Sequence, residues 1–202
     1  MKQISVSRTV FTLDELDPDA REKAIQALRE DAWETLDSDM VAEDLAGRFI
    51  ELATGEWVGA TSKNTLKDKY GIRIYWNFGY CQGDHAYIEG YLHRDDTPNL
   101  AWPENVFYAN VTRSGRDWAT VEYVSVTDPE TGNERDHYHG DEYAATVEMV
   151  NNLNKQLYRE VRKLVEGYTS EDYVLENYNL WALPRRFDVT GQFAPPMFWA
   201  EV

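Results

Sequence analysis

Ile72-Arg73-Ile74-Tyr75-Trp76-Asn77-Phe78 alternates apolar and polar side chains and is rich in β-branched and aromatic residues. A two-residue period places Ile72, Ile74 and Trp76 on one face of a strand. The residues beyond it keep the same habit. Gln82-Gly83-Asp84 is built of turn formers, and Ala86–Leu92 resumes strand-like sequence. Residues 106–113 and 118–127 read as a hairpin, followed by the loop Asp128-Pro129-Glu130-Thr131-Gly132-Asn133. Four or five antiparallel strands are therefore expected to meander through residues 72–139.

On both sides of this middle the period becomes helical. Upstream, Pro18 suits a first helical turn, and Ile25, Leu28, Ala32 and Leu36 recur at helical spacing. Ser38 or Asp39 can cap a second helix carrying Val41, Leu45, Phe49 and Leu52 on one face, which ends before the stretch Gly55–Lys63. Downstream, Tyr143, Val147, Val150, Leu153, Leu157, Val161 and Leu164 form a long apolar stripe over residues 141–166, stopped by Gly167. Thr169-Ser170-Glu171-Asp172 opens a last helix that Pro184 must end. Residues 3–12 alternate, with Ile4 and Val6 and then Thr9 to Phe11, and read as a first strand. The pattern predicts one α+β domain over residues 1–202: an antiparallel sheet of about five strands, with N- and C-terminal helices on one face. The aromatic tail 185–202, with Phe187, Phe193, Phe198 and Trp199, is expected to pack on it.

Composition limits the function. The 202 residues are 43% hydrophobic and include 13 Tyr, 7 Trp and 7 Phe, enough for a packed core. The 36 acidic residues against 20 basic ones leave a net charge of −16, which argues against phosphate binding of the nucleic-acid kind and against anionic membranes. The one cysteine, Cys81, excludes an internal disulfide framework and a multi-cysteine zinc site. No stretch reads as a signal peptide or membrane span, so a cytoplasmic protein is expected. No nucleophile elbow, phosphate loop or zinc-protease motif occurs, and a non-enzymatic role without cofactor or resident metal is favoured over an enzyme.

The segment Tyr80-Cys81-Gln82-Gly83-Asp84-His85-Ala86-Tyr87-Ile88-Glu89-Gly90 resembles a signature of small bacteriophage proteins that reads approximately W-S-Q-G-D-G-A-S-F-E-G. Some of those proteins carry an antitoxin-like label. Leu16–Ala24 resembles the family's opening helix, His137-Tyr138-His139 falls at its short histidine-containing strand, and Tyr168–Asp172 followed by Asn179 is similar to a late L-T-S-D-E…N segment. Three positions depart from the signature: His85 stands for glycine, Cys81 for serine and Ile88 for phenylalanine. The resemblance implies a phage origin and an α+β fold, without a reaction.

Two functions follow as expectations. The first is a phage-encoded acidic accessory protein that neutralises a host protein, such as a CRISPR, restriction or toxin component. Its partner would present a basic or nucleic-acid-binding surface in the host cytoplasm, and the chain would meet it through the acidic helices at Asp31, Glu34, Asp37 and Glu43, with exposed aromatics as anchors. The second is a small-ligand or nucleotide protein, binding or hydrolytic, with Gln82, Asp84, His85, Glu89, His137 and His139 lining its pocket. A structural component of the phage is a third, duller possibility. On a continuous strand His137 and His139 would share a face, and with Asp84, His85 or Asp136 they form the conceivable metal set, against which solvated loop histidines are the stronger reading.

Overall fold

The computed structural model describes residues 10–79, 84–113, 119–127, 133–177 and 186–194. In chain order its elements are a 3₁₀ turn (Leu13–Glu15), α1 (Pro18–Glu34), α2 (Ser38–Thr54), α3 (Lys63–Tyr70), β1 (Ile72–Asn77), β2 (His85–His93), β3 (Val106–Arg113), β4 (Ala119–Thr127), β5 (Glu134–His137), α4 (Asp141–Tyr168) and α5 (Glu171–Asn177). The expected α+β class is the observed one. The residues group into two compact units, one of Met1–Leu36 with Val165–Val202 and one of Asp37–Leu164.

The unit formed by the two chain ends is built on α1. Asp17 caps the helix by accepting from the Ala20 N–H at 2.9 Å, and Pro18 occupies the first turn, where a missing N–H costs nothing. Ala24, Ile25, Leu28 and Ala32 then line one face and bury against Leu13, Val174 and Phe187. Phe187 belongs to the tail. Its N–H and C=O bond those of Phe11 at 3.0 and 2.8 Å, and its ring stacks on Phe193. Gly191 lies so close to α1 that a Cβ there would strike the Ala20 carbonyl. In the described part of the tail it is Phe187 that packs on α1, while Phe198 and Trp199 lie outside the described residues. Of the expected first strand, residues 3–9 also lie outside them, and Phe11 survives as an isolated bridge. Arg29 Nε donates to the Thr169 carbonyl at 3.0 Å, satisfying a group left open where a helix ends.

The second unit holds the sheet, ordered β1-β2-β3-β4-β5 and antiparallel throughout. Ile72, Ile74 and Trp76 stand opposite Gly90, Ile88 and Ala86, so the alternation of β1 fixes the register with β2. Position 90 requires glycine: its φ is +132°, and a Cβ would collide with the carbonyl of Gly71. Leu92, Ala109 and Val124 continue the buried face across β2, β3 and β4. α2 buries Val41, Leu45, Ala46, Phe49, Ile50 and Ala53, is capped by Asp37 at its start, and stops at Gly55 in the left-handed region. α4 buries Val150, Leu153, Leu157 and Val161 of the stripe read from the sequence, and Met149 beside them, while Tyr143, Val147 and Leu164 of that stripe are half-buried. Deep in that stripe sits Thr146, whose hydroxyl is satisfied by the Glu142 carbonyl at 2.7 Å.

Helix α3 has no counterpart in the sequence reading. It is a single pair of apolar side chains four apart, Leu66 and Tyr70, between polar residues, too short for a period to register. The structure supplies what the period lacks: the Ser62 hydroxyl caps it from Asn64 N–H at 3.2 Å, and the Tyr70 ring packs edge-on against Phe49.

Candidate functional site

Of the signature segment the described part is Asp84–Gly90, which runs from the end of the β1–β2 connection into β2. Gln82 lies outside the described residues. Asp84 Oδ1 accepts from the Gly79 N–H at 2.8 Å, closing the connection from its far side. His85 opens β2 opposite Asn77, and its ring stacks on Tyr87, which in turn stacks on Tyr75 of β1 at 5.3 Å. Glu89 stands opposite Arg73. Asp84 therefore precedes β2, and His85 and Glu89 lie on one face of the strand, four residues apart.

His137 and His139 are not part of that group. His137 faces Val124, Val124 faces Ala109 and Ala109 faces Leu92, so His137 is level with Leu92, at the opposite end of β2 from His85. With β3 and β4 between, the imidazoles of 85 and 137 are separated by on the order of 25 Å from strand spacing and rise. Strand β5 also ends at His137, so His139 sits in the following bend and the two do not alternate along one strand. The pocket expected from Gln82, Asp84, His85, Glu89, His137 and His139 together is thus not assembled, because the meander carries the last two to a different edge. Among the described residues no group of three His, Cys, Asp or Glu side chains is placed to hold a metal.

The acidic positions fall in both units. Asp31 and Glu34 lie on α1, the latter exposed in its last turn. Asp37 is the cap of α2, its Oδ1 accepting from the N–H groups of Asp39 (2.8 Å) and Met40 (3.4 Å). Glu43 is exposed on α2, near Lys63, whose ammonium pairs with Asp39 at 2.9 Å. That hydrogen bond and the Asp39 charge, with a smaller contribution from Glu43, raise the Lys63 pKa above its ordinary value.

The sheet face turned away from Leu92, Ala109 and Val124 carries a feature the sequence reading passed over. Each of β2, β3 and β4 contributes a tyrosine to it, and Tyr138 follows β5. Their rings touch in series: Tyr91 with Tyr108 (6.5 Å), Tyr108 with Tyr123 (5.8 Å), and Tyr123 with Tyr138 (5.8 Å). His93 leans on Tyr108 at 5.6 Å. The ends of this ladder are open to solvent, Tyr91 at 49% and Tyr138 at 60% exposure. Its centre is bound into polar contacts. The Tyr108 hydroxyl donates to Asp136 Oδ1 at 3.3 Å, and Asn110 Nδ2 donates to Glu122 Oε2 at 2.6 Å. Burial, then hydrogen bonding to Tyr123 and the charge of Asp136, push the Tyr108 pKa well above the phenolic value. The signal was one tyrosine recurring per strand at outward positions, visible only once the β3–β4 bulges set the register.

This is an α+β chain whose meander presents an aromatic, acid-flanked outer face. No protein-family model, curated protein or solved structure matches it. No helix among the described residues is long and apolar enough to cross a membrane.

Proposed function

We propose that the protein is a non-enzymatic, phage-encoded accessory protein that docks on a basic host protein and neutralises it. The observation that carries this reading is the tyrosine ladder, open at both ends, on a chain of net charge −16. Tyrosine is among the residues that dominate binding energy at protein interfaces, since a rigid ring buries much area for little lost freedom. The chain's charge selects the partner. Lysine and arginine side chains meet both carboxylates and ring faces favourably, and Glu122 and Asp136 stand beside the rings. A protein whose cationic surface normally faces nucleic acid, such as a nuclease of host defence, fits that description. The sheet face replaces the first two helices as the anchor, and Asp31, Glu34 and Glu43 contribute long-range attraction.

The test begins with capture from host lysate at low and at high salt and continues with the purified captured protein. Tyr91→Ala and Tyr138→Ala are each expected to weaken its binding by tenfold or more, and Trp57→Ala, on an exposed aromatic of the loop after α2, to leave it within twofold. Equal affinity of both tyrosine variants and the unaltered protein sinks the proposal.

A further inference from the structure

A second surface of the sheet unit rests on separate observations. β2 pairs with β1 along His85–Gly90 but with β3 only from Gly90 onward. In the stretch without a β3 partner, the Ile88 N–H donates instead to Asn154 Oδ1 of α4 at 3.1 Å. That bond fixes the side-chain amide, so the Asn154 Nδ2 donors point away from Ile88. Beside it opens a cleft of about 480 Å³ between α4 and the first half of β2. Its α4 wall carries Lys155, Arg159 and Arg162, spaced four and three residues apart and hence on one helical face. Asn151 extends that row by one more turn, and His85 closes the other side.

The composition of this wall is opposite to that of the chain. Acidic residues outnumber basic ones 36 to 20, yet three cations and no carboxylate are among the described residues that line the cleft. Lys155 and Arg159 make no ion pair among the described residues. Two unneutralised cations held a helical turn apart raise each other's energy, and an anion between them relieves it. Tyr158 and Tyr87 add aromatic surface to the same cleft. The volume lies in the range of sites for small organic ligands, which combine apolar walls with a few convergent polar groups.

We infer that this cleft binds a small phosphorylated ligand of mononucleotide size. Lys155, Arg159 and Arg162 would hold the phosphate, the amides of Asn151 and Asn154 would donate to it or to the sugar, and the Tyr158 ring would flank the base. A long nucleic acid is disfavoured, since its phosphates beyond the cleft meet the acidic remainder of the chain. A mononucleotide stays within about one Debye length of the three cations. The inference stands whether or not the tyrosine ladder docks a protein.

Calorimetric titration with AMP, inorganic phosphate and adenosine tests it. AMP is expected to bind, phosphate to compete with it, and adenosine to bind at least tenfold more weakly than AMP. Lys155→Gln and Arg159→Gln should each weaken AMP binding about tenfold, whereas Lys163→Gln, on α4 but paired with Glu160, should not. These positions are exposed, and Arg159→Lys, which keeps the charge, should retain most of the affinity. Should a glutamine variant fail to fold, amide shifts of the unaltered protein on adding AMP decide: changes centred on β2 and α4 support the cleft. Changes elsewhere, no AMP binding at millimolar concentration, or glutamine variants of unchanged affinity overturn it.

Discussion

At the scale of single residues the sequence is most explicit where one side chain serves its own backbone. Asp17 and Asp37 as helix caps and Gly55 as a helix stop are local chemistry, although the sequence pattern placed the α2 cap at Ser38 or Asp39, one or two residues after the Asp37 that serves. Glu15 belongs with them. Its Oε2 accepts from the Thr12 N–H at 2.7 Å and the Thr12 hydroxyl at 2.8 Å, and these bonds hold its pKa below the ordinary 4.5. A carboxylate with a lowered folded-state pKa stabilises the fold above its unfolded value, and that contribution fades as pH falls through the folded value. Glu15→Gln should therefore be less stable than the unaltered protein at pH 7. The gap should close below pH 4, as followed by urea unfolding across pH. Gly90 is the contrary case, since its need for glycine comes from the Gly71 carbonyl at the start of the neighbouring strand and not from its own surroundings in sequence. Gly90→Ala combines a collision with a strained φ, and is expected to cost about 2–4 kcal/mol in the same assay.

At the scale of elements, legibility followed length and regularity. α4 was readable because its stripe repeats from Val150 through Val161, and each of those side chains is buried. Leu157→Ala should cost about 2–5 kcal/mol, because the backbone of a long helix cannot collapse around one missing side chain. α3 was not readable, since two apolar residues make no period. The sheet stood between these cases. Alternation gave the strands and which of their faces is buried, yet the outer face was invisible, because ring contacts run diagonally across strands whose register two bulges alter. The same limit explains the histidines. His137 and His85 share a chemistry, and only the pairing of β2 through β5 shows that they stand at different ends and edges. The cleft on α4 was likewise hidden: Lys155, Arg159 and Arg162 drew no notice in the sequence, and only the pairing of β2 places His85 across from them.

At the scale of the whole chain the governing quantity is charge. A net −16 on 202 residues means that like charges repel in the folded state more than in the expanded one, and added salt relieves part of that repulsion. Raising sodium chloride from 0.05 to 0.5 M, roughly a threefold shortening of the Debye length, is therefore expected to raise the melting temperature. The surface ion pairs that salt weakens, Lys63–Asp39 and Lys163–Glu160 among them, are too exposed to reverse the trend. The same change separates the two binding surfaces. Association through the tyrosine ladder with a basic partner should lose speed steeply, since its encounter is steered by the entire charge, while dissociation, governed by buried rings, should change little. Binding of AMP in the α4 cleft draws on three local cations against an opposing background, so salt screens attraction and repulsion together and the dependence should be shallower. Stopped-flow association of the partner and calorimetry of AMP, run over one salt series, measure both slopes. A steeper slope for AMP than for the protein partner would mean that neither surface works through the charges assigned to it.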